Sequence, residues 1–378
     1  MAHIRPLILQ PDSEPYGACR ALLRSIQAMP DGVVKPVVVF PYAGAALAEY
    51  RAAGCDVYVM DLAVLRRATA GPRGLMGLAR AARSTGRALA ELAAEQGCEL
   101  IHTNSMTIVS GMAAAKVSGL PHAWQLREAP RERGLRVHVL RHLLRRADLV
   151  VAISAASAAV AAPVPVQLVH DGYDAPEGAA APRAVDRING FTIGMVGRIS
   201  ATKSQHLAIE ALGRLVAAGI DARLLLAGAP YPGHEPYVER LVRLVERLDL
   251  ADRVDFLGWQ SDPTLVYAQL DALLIATGSG EGFGGVALEA MAHGVPVVSS
   301  ATGGIDELVT DGQSGLVAAP DDVDQIANAL TRIQQDPALV EHLRAGGYER
   351  VARFTTASSG RELLAAWRSM VGTVRVSG

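Results

Sequence analysis

Two hydrophobic rhythms alternate along the chain. Short, nearly unbroken apolar runs predict buried strands, and longer stretches with apolar residues every three or four positions predict helices. In the first half the strand runs are "IRPLILQ", "KPVVVF", "DVYVM", "CELIHT", "HAWQL", "DLVVAIS" and "VQLVH". The longest helical stretch between them is "LMGLARAARSTGRALAELAAEQG", where Gly97 suits a helix C-terminal cap. From Ala175 to Gly190 the rhythm stops, in "APEGAAAPRAVDRING". That stretch has Pro, Ala and Gly without an apolar period, which reads as a linker. The alternation restarts with "FTIGMVG", "ARLLLAG", "VDFLG", "DALLIAT" and "VPVVSS". Repeated strand–helix alternation predicts parallel sheets with helices on both faces. The expected architecture is two Rossmann-like α/β domains facing across a cleft, over 1–175 and 191–354, joined by a linker at 176–190. By pattern alone, the final helical stretch "TTASSGRELLAAWRSMV" can close either domain.

Length and composition agree with this picture and narrow the function. A chain of 378 residues, half of them hydrophobic and a fifth charged, fits two globular domains. A net charge of −2 provides no global field for nucleic acid or anionic lipid. No apolar run is long enough to span a bilayer, and "MAHIRPLILQ" lacks the features of a secretory leader, so a cytoplasmic location is expected. Cys19, Cys55 and Cys98 lie far apart, as buried thiols do, and form no metal-ligand pair. The basic residues are mostly arginine, and Lys35, Lys116 and Lys203 are the only lysines.

In open parallel sheets, ligands collect beyond the carboxyl ends of the strands, so the strand-to-helix turns carry the candidate chemistry. In "GMVGRISATKSQHLAIEAL", Gly197 permits a tight turn, and Arg198 and Lys203 stand five apart just before a helix. Two cations and the N–H groups of a helix start suit a diphosphate, though two solvated charges would read the same. In "GSGEGFGGVALEAMAHG", Glu281 sits in the turn, and Gly282, Gly284 and Gly285 let backbone approach a ligand. Glu289 falls inside the following helix among Ala287, Leu288, Ala290 and Met291, where a carboxylate needs donors. A ribose diol supplies them, as do backbone amides in a purely structural role.

The first half has weaker candidates. Tyr16, Gly17 and Ala18 place amides at the first helix start, and His102 and Asn104 follow the fourth strand. Arg127 and Glu128 follow the fifth. Each fits a structural or solvated role as well as a functional one. The segment 134–146 is a basic amphipathic helix, with Leu135, Val139, Leu140, Leu143 and Leu144 on one side and arginines and histidines on the other. It fits a core-facing helix with a wet face, or a weak contact with a membrane surface.

Taken together, "GRISATK", "EGFGGVALEAMAHGVPVV" and "GGIDELVTDGQSGLV", preceded by "ADLVVAISAASAAV" and "LVHDGYD", resemble the retaining, nucleotide-sugar-dependent glycosyltransferases of family four, which have the GT-B fold. The resemblance runs along the whole chain and is strongest over residues 191–320. It implies that Arg198 and Lys203 bind the donor diphosphate, that Glu289 holds the nucleotide ribose, and that Glu281 faces the donor sugar. It implies donor contacts from Gly197 and from the amides of Phe283, Gly284 and Gly285, with the Gly17 loop closing over the phosphates. The resemblance also implies a C-terminal donor domain, an N-terminal acceptor domain, and a terminal helix from 355 that returns to the latter. No metal or other cofactor is implied. The donor is a nucleotide sugar, most commonly carrying UDP. The acceptor is a saccharide, a lipid-linked precursor or a small natural product. Acceptor-side candidates are His102, Asn104, Arg127 and Glu128.

The chain departs from the family pattern in its first half. It has Tyr16-Gly17 in place of a glycine pair, Arg127-Glu128 where histidine-aspartate is usual, and Asp171-Gly172 for asparagine-glycine. Other readings are a non-catalytic nucleotide-sugar-binding protein, a phosphorylase or an epimerase of the same fold. A pyridoxal-phosphate phosphorylase needs a Schiff-base lysine, for which three lysines leave few candidates. An NAD-dependent oxidoreductase is ranked low, because no convincing G-x-G-x-x-G follows a strand.

Overall fold

The computed structural model describes residues 3–65, 72–129, 135–175, 190–230, 233–277, 280–300 and 302–374. The linker expected at 176–190 lies outside the described residues except for Gly190. The chain divides into two compact units.

The first unit contains the residues up to Gly172 and those from Thr356 onward. Its strands are β1 (Pro6–Leu9), β2 (Val37–Phe40), β3 (Asp56–Val59), β4 (Leu100–Thr103), β5 (His122–Leu126), β6 (Leu149–Ala152) and β7 (Val166–Leu168). They form one seven-stranded sheet in the order β3-β2-β1-β4-β5-β6-β7, with every described pairing parallel. The strands β1, β2, β4 and β5 are buried at every position. This is why their sequences are continuous apolar runs rather than alternating ones. The helices are α1 (Gly17–Gln27), α2 (Ala46–Ala52), α3 (Pro72–Glu95), α4 (Ser110–Ser118), α5 (Leu135–Leu144) and α6 (Ala155–Ala161). The C-terminal helix, Thr356–Val374, belongs to this unit. Its Leu363, Leu364 and Trp367 join the core around Ile8, Leu22 and Tyr50. Ser359 bonds Ser25 of α1 at 2.7 Å. All three cysteines are buried, and burial pushes the Cys55 thiol up to about 12 and the Cys98 thiol to about 11.

The second unit runs from Tyr173 to Thr355. The change of unit comes at Gly172, slightly before the expected 175. The reason is that the Tyr173 N–H donates to the Phe354 carbonyl at 2.9 Å and its hydroxyl meets His293 at 3.1 Å. The strands are β8 (Phe191–Val196), β9 (Ala222–Ala227), β10 (Val254–Gly258), β11 (Ala272–Ile275), β12 (Val297–Ser299) and β13 (Leu316–Val317). Their order is β10-β9-β8-β11-β12-β13, all parallel. The helices are α7 (Gln205–Ala217), α8 (Glu235–Arg247), α9 (Thr264–Tyr267), α10 (Gly285–Ala292), α11 (Val323–Gln335) and α12 (Pro337–Val351). Every strand run read from the sequence is a strand, and β13 is the one that the pattern did not show.

Both sheets reverse their winding next to the first strand. From β8 the chain moves to β9 and β10 on one side, then returns to β11, β12 and β13 on the other. Such a switch point leaves a crevice at the carboxyl ends of the two central strands. In the second unit those strands are β8 and β11, which pair through Ala272–Ile193 and Leu273–Gly194.

Candidate functional site

The turn after β8 and the turn after β11 hold the main candidates. Gly197 follows β8 with φ +141°, a conformation open to glycine, and nothing lies within 4 Å of where a Cβ would stand. Arg198 comes next, and its carbonyl accepts from the Gln205 side-chain amide at 2.8 Å. A single 3-10 turn, Ala201–Lys203, then delivers Lys203. Ser204, at φ 52°, reverses the backbone so that α7 starts at Gln205.

The turn after β11 is tied down by its neighbour after β12. The Glu281 N–H donates to the Thr302 carbonyl at 2.8 Å, and the Glu281 carbonyl accepts from the Gly304 N–H at 2.8 Å. Gly284 caps α10 at φ +87°, and a Cβ there would stand 2.2 Å from Ile305 Cδ1. Only glycine meets both conditions. Phe283 is an anchor: its ring is buried and meets Phe354 edge-on at 5.4 Å. Gly285 opens α10, with nothing within 4 Å of its would-be Cβ.

This geometry brings two predicted residues together. Lys203 Nζ lies 2.5 Å from Glu281 Oε2, an ion pair between side chains 30% and 16% exposed. The Thr277 hydroxyl also donates to Oε2, at 3.3 Å. Glu289, one turn into α10, has a different setting. The buried Tyr267 donates its hydroxyl to Glu289 Oε2 at 2.8 Å. Tyr267 stacks on His293, with ring centroids 5.4 Å apart and 16° between planes, and His293 Nε2 meets the Tyr173 hydroxyl at 3.1 Å. Burial holds His293 below its ordinary pKa, against the upward pull of Glu289 and Asp262. The carboxylate therefore rests on a fixed aromatic frame rather than on a mobile side chain. Tyr267, Thr277, His293 and Tyr173 were not singled out from sequence. Tyr267 lies 22 residues from Glu289 with no local pattern connecting them.

The first-half candidates separate. Gly17 opens α1 and is exposed, with nothing within 4 Å of its would-be Cβ. Arg127, its side chain 6% exposed, pairs with Asp171 at 2.5 Å and reaches Asn104 Oδ1 at 3.5 Å. Asn104 donates to Gln10 Oε1 at 2.8 Å and to the Ala18 carbonyl at 3.3 Å, tying the β4 turn to the β1 turn. Glu128 accepts from the Ser105 hydroxyl at 2.6 Å and from the Met106 and Arg127 amides at 3.3 and 3.1 Å, so it ties its own loop to the turn after β4. His102 is fully buried. The Trp367 indole N–H donates to its Nδ1 at 3.2 Å, so Nε2 carries the proton and donates to Gln125 Oε1 at 3.0 Å. Both ring nitrogens are therefore spent on structure, and burial lowers the ring's pKa to about 4. The basic segment 134–146 is described from Leu135; α5 turns Val137, Leu140 and Leu144 into the core and leaves Val139 and Leu143 partly covered. No helix among the described residues is long and apolar enough to cross a membrane.

Comparison with known proteins identifies the family and the fold. The profile of the family described as "Glycosyl transferases group 1" matches residues 184–350, which include both turns. The D-inositol 3-phosphate glycosyltransferase of Mycolicibacterium smegmatis is 33% identical over 218 residues, 56% of this chain and 49% of that protein. The lipopolysaccharide core biosynthesis mannosyltransferase LpsB of Rhizobium meliloti is 31% identical over 240 residues, 61% of this chain and 68% of that protein. The chain thus spans about half the length of the inositol-phosphate enzyme and two thirds of LpsB. The crystal structure of Anabaena HepE in complex with UDP and glucose has a TM-score of 0.80 at 24% identity, covering 97% of this chain and 100% of that one. At that identity the likeness concerns the fold, which is the two-unit GT-B architecture.

Proposed function

Because the chain belongs to the group 1 glycosyl transferases, we propose that it transfers a sugar from a UDP-sugar to an acceptor hydroxyl, with retention of anomeric configuration and without a metal ion. The observation that carries this reading is the Lys203–Glu281 pair at the β8/β11 switch point, beside the glycine-capped start of α10. A diphosphate needs cations and N–H donors, and sugar hydroxyls need a carboxylate. The two turns present both kinds of group at one sheet edge.

In this mechanism Arg198 and Lys203 neutralise the diphosphate, and Glu289, steadied by Tyr267, takes the ribose diol. Glu281 accepts hydrogen bonds from the donor sugar. When the diphosphate arrives, Lys203 exchanges its carboxylate partner for phosphate oxygens. The bond from the sugar C1 to the phosphate oxygen breaks, and the acceptor oxygen bonds to C1 on the same face. The acceptor proton passes to the departing phosphate, leaving the glycoside and UDP. Charge on that phosphate is greatest in the transition state, so a cation placed there lowers the barrier. The UDP in the HepE complex supports the choice of uridine. The acceptor class is a saccharide, a lipid-linked precursor or a small molecule.

A thermal-shift screen of nucleoside diphosphates and their sugars tests the binding half. Ligand at one hundred times its Kd adds about 2.7 kcal/mol of stability. Slow release of sugar from the stabilising donor, with the anomer followed by NMR, tests the chemical half. Retained configuration is expected. Stabilisation without release, on any acceptor, would instead make the chain a nucleotide-sugar-binding protein, and no stabilisation by any nucleotide sugar would remove the proposal.

A further inference from the structure

The first unit has an open apolar groove of about 810 Å³ between α3, α4 and α5. That volume is in the range of small-molecule and single-chain lipid sites. Its floor is formed by Leu78, Met112, Val139 and Leu143, which pack on the core around Trp124 and Leu140 but are only partly covered. Two large apolar side chains stand exposed nearby, Met76 on α3 at 58% and Val117 on α4 at 56%. The position is one turn before the tight α3–α4 crossing, where a Cβ on Gly86 would lie 2.6 Å from Ala113 Cβ.

The charge lining the groove is mainly positive. Arg83, Lys116 and Arg146, one from each side, line it and are exposed. None of the three has an ion-pair partner among the described residues. Among the described residues one acid lines the groove, Asp148, which accepts the His122 N–H at 2.8 Å. The chain as a whole carries −2, so this positive set is local. It also uses one of only three lysines in the sequence. An apolar slot lined by three cations with no ion-pair partner among the described residues is complementary to an amphiphile with an apolar tail and an anionic head.

We propose that this groove holds an anionic bilayer lipid, with one acyl chain on the Leu78–Leu143 floor and the headgroup on Arg83, Lys116 and Arg146. Moving an acyl chain from a bilayer into an apolar groove gains little hydrophobic energy, so the cations supply most of the attachment and the groove selects for a chain beside the headgroup. The inference does not depend on the glycosyltransferase reading, because its test measures binding and not turnover.

The test is co-sedimentation of the full chain with vesicles of phosphatidylcholine, with and without phosphatidylglycerol. Binding is expected to the mixed vesicles only, weakening as salt is raised. Each cation near an anionic surface is worth about fivefold in affinity. The variant Arg83→Glu, Lys116→Glu, Arg146→Glu is therefore expected to bind at least about a hundredfold more weakly. Ala79→Trp separates the groove from its charges, since Ala79 is an exposed lining residue on α3. It fills the slot, keeps every cation, and is expected to weaken vesicle binding; thermal unfolding checks that both variants fold. A soluble short-chain phosphatidylglycerol should compete for the site, whereas glycerol phosphate should not. Equal binding by Ala79→Trp, equal competition by glycerol phosphate, or no binding to mixed vesicles each overturns the proposal. Self-association lost on charge reversal, with no vesicle binding, would give the groove to a second copy instead.

Discussion

Glu281→Gln distinguishes a phosphate-binding Lys203 from one that serves only as half of a structural ion pair. In the free protein Lys203 Nζ lies 2.5 Å from Glu281 Oε2. Coulomb's law at an effective dielectric near 20 gives a gross attraction of about 6–7 kcal/mol at that distance. Desolvation and solvent screening cancel most of it, because the two side chains are 30% and 16% exposed. A partly exposed pair of this kind nets about 1 kcal/mol. A diphosphate must overcome that attraction to recruit Lys203, and it also meets the Glu281 charge. Neutralising Glu281 removes both penalties. UDP should then bind about five- to tenfold more tightly to Glu281→Gln than to the natural chain. Turnover of the donor sugar should move the other way. A charge-assisted bond to a sugar hydroxyl becomes a neutral one, and such bonds are about half as strong. Isothermal titration with UDP and a donor-hydrolysis assay read the two effects separately. The cycle is completed by Lys203→Ala, in which Glu281→Gln should lose most of its gain. Unchanged or weaker UDP binding in Glu281→Gln would refute the reasoning, as would a full gain without Lys203.

Three further outcomes follow from named contacts. Lys203→Ala should lower kcat for sugar release about 10²–10³-fold, the usual cost of removing one charge-stabilising donor, while thermal stability changes by only about 1 kcal/mol. Tyr267→Phe deletes the hydroxyl that donates to Glu289 at 2.8 Å. A bond to a charged group is worth about 1.5–3 kcal/mol, so the donor KM should rise at least about tenfold with kcat nearly kept, and equal losses in both would argue for a general structural defect. For His102, burial keeps the folded ring neutral down to about 4, against 6.5 for the unfolded ring. Its contribution to stability is therefore complete above pH 6.5 and lost as pH falls toward 4. At pH 5 the loss is about 2 kcal/mol, readable by urea unfolding of the natural chain at pH 7.5 and pH 5. Burial also lowers His122, to about 3, so it adds a loss in the same direction.

Much of the architecture was determined locally. Buried parallel strands such as "VVVF" and "ALLI" are apolar on both faces, and "ALLI" is followed by a turn rich in glycine that carries Glu281. A reader of the chain can therefore find the strands, their parallel arrangement and the turns after β8 and β11 without coordinates. The two-residue strand β13 escapes, since it is too short for any period and exists only because Val298 and Ser299 offer it an edge. The pairings within the site are also decided elsewhere than in the local pattern. Lys203 and Glu281 are 78 residues apart and meet because the sheet places β8 beside β11. Tyr267 reaches Glu289, and Trp367 takes a nitrogen of His102 from 265 residues away. Periodicity reports which face of an element is buried, and it holds no record of the partner. That choice belongs to strand order and helix packing, which is why His102 read as a ligand candidate in the sequence and became a core hydrogen-bond bridge in the fold.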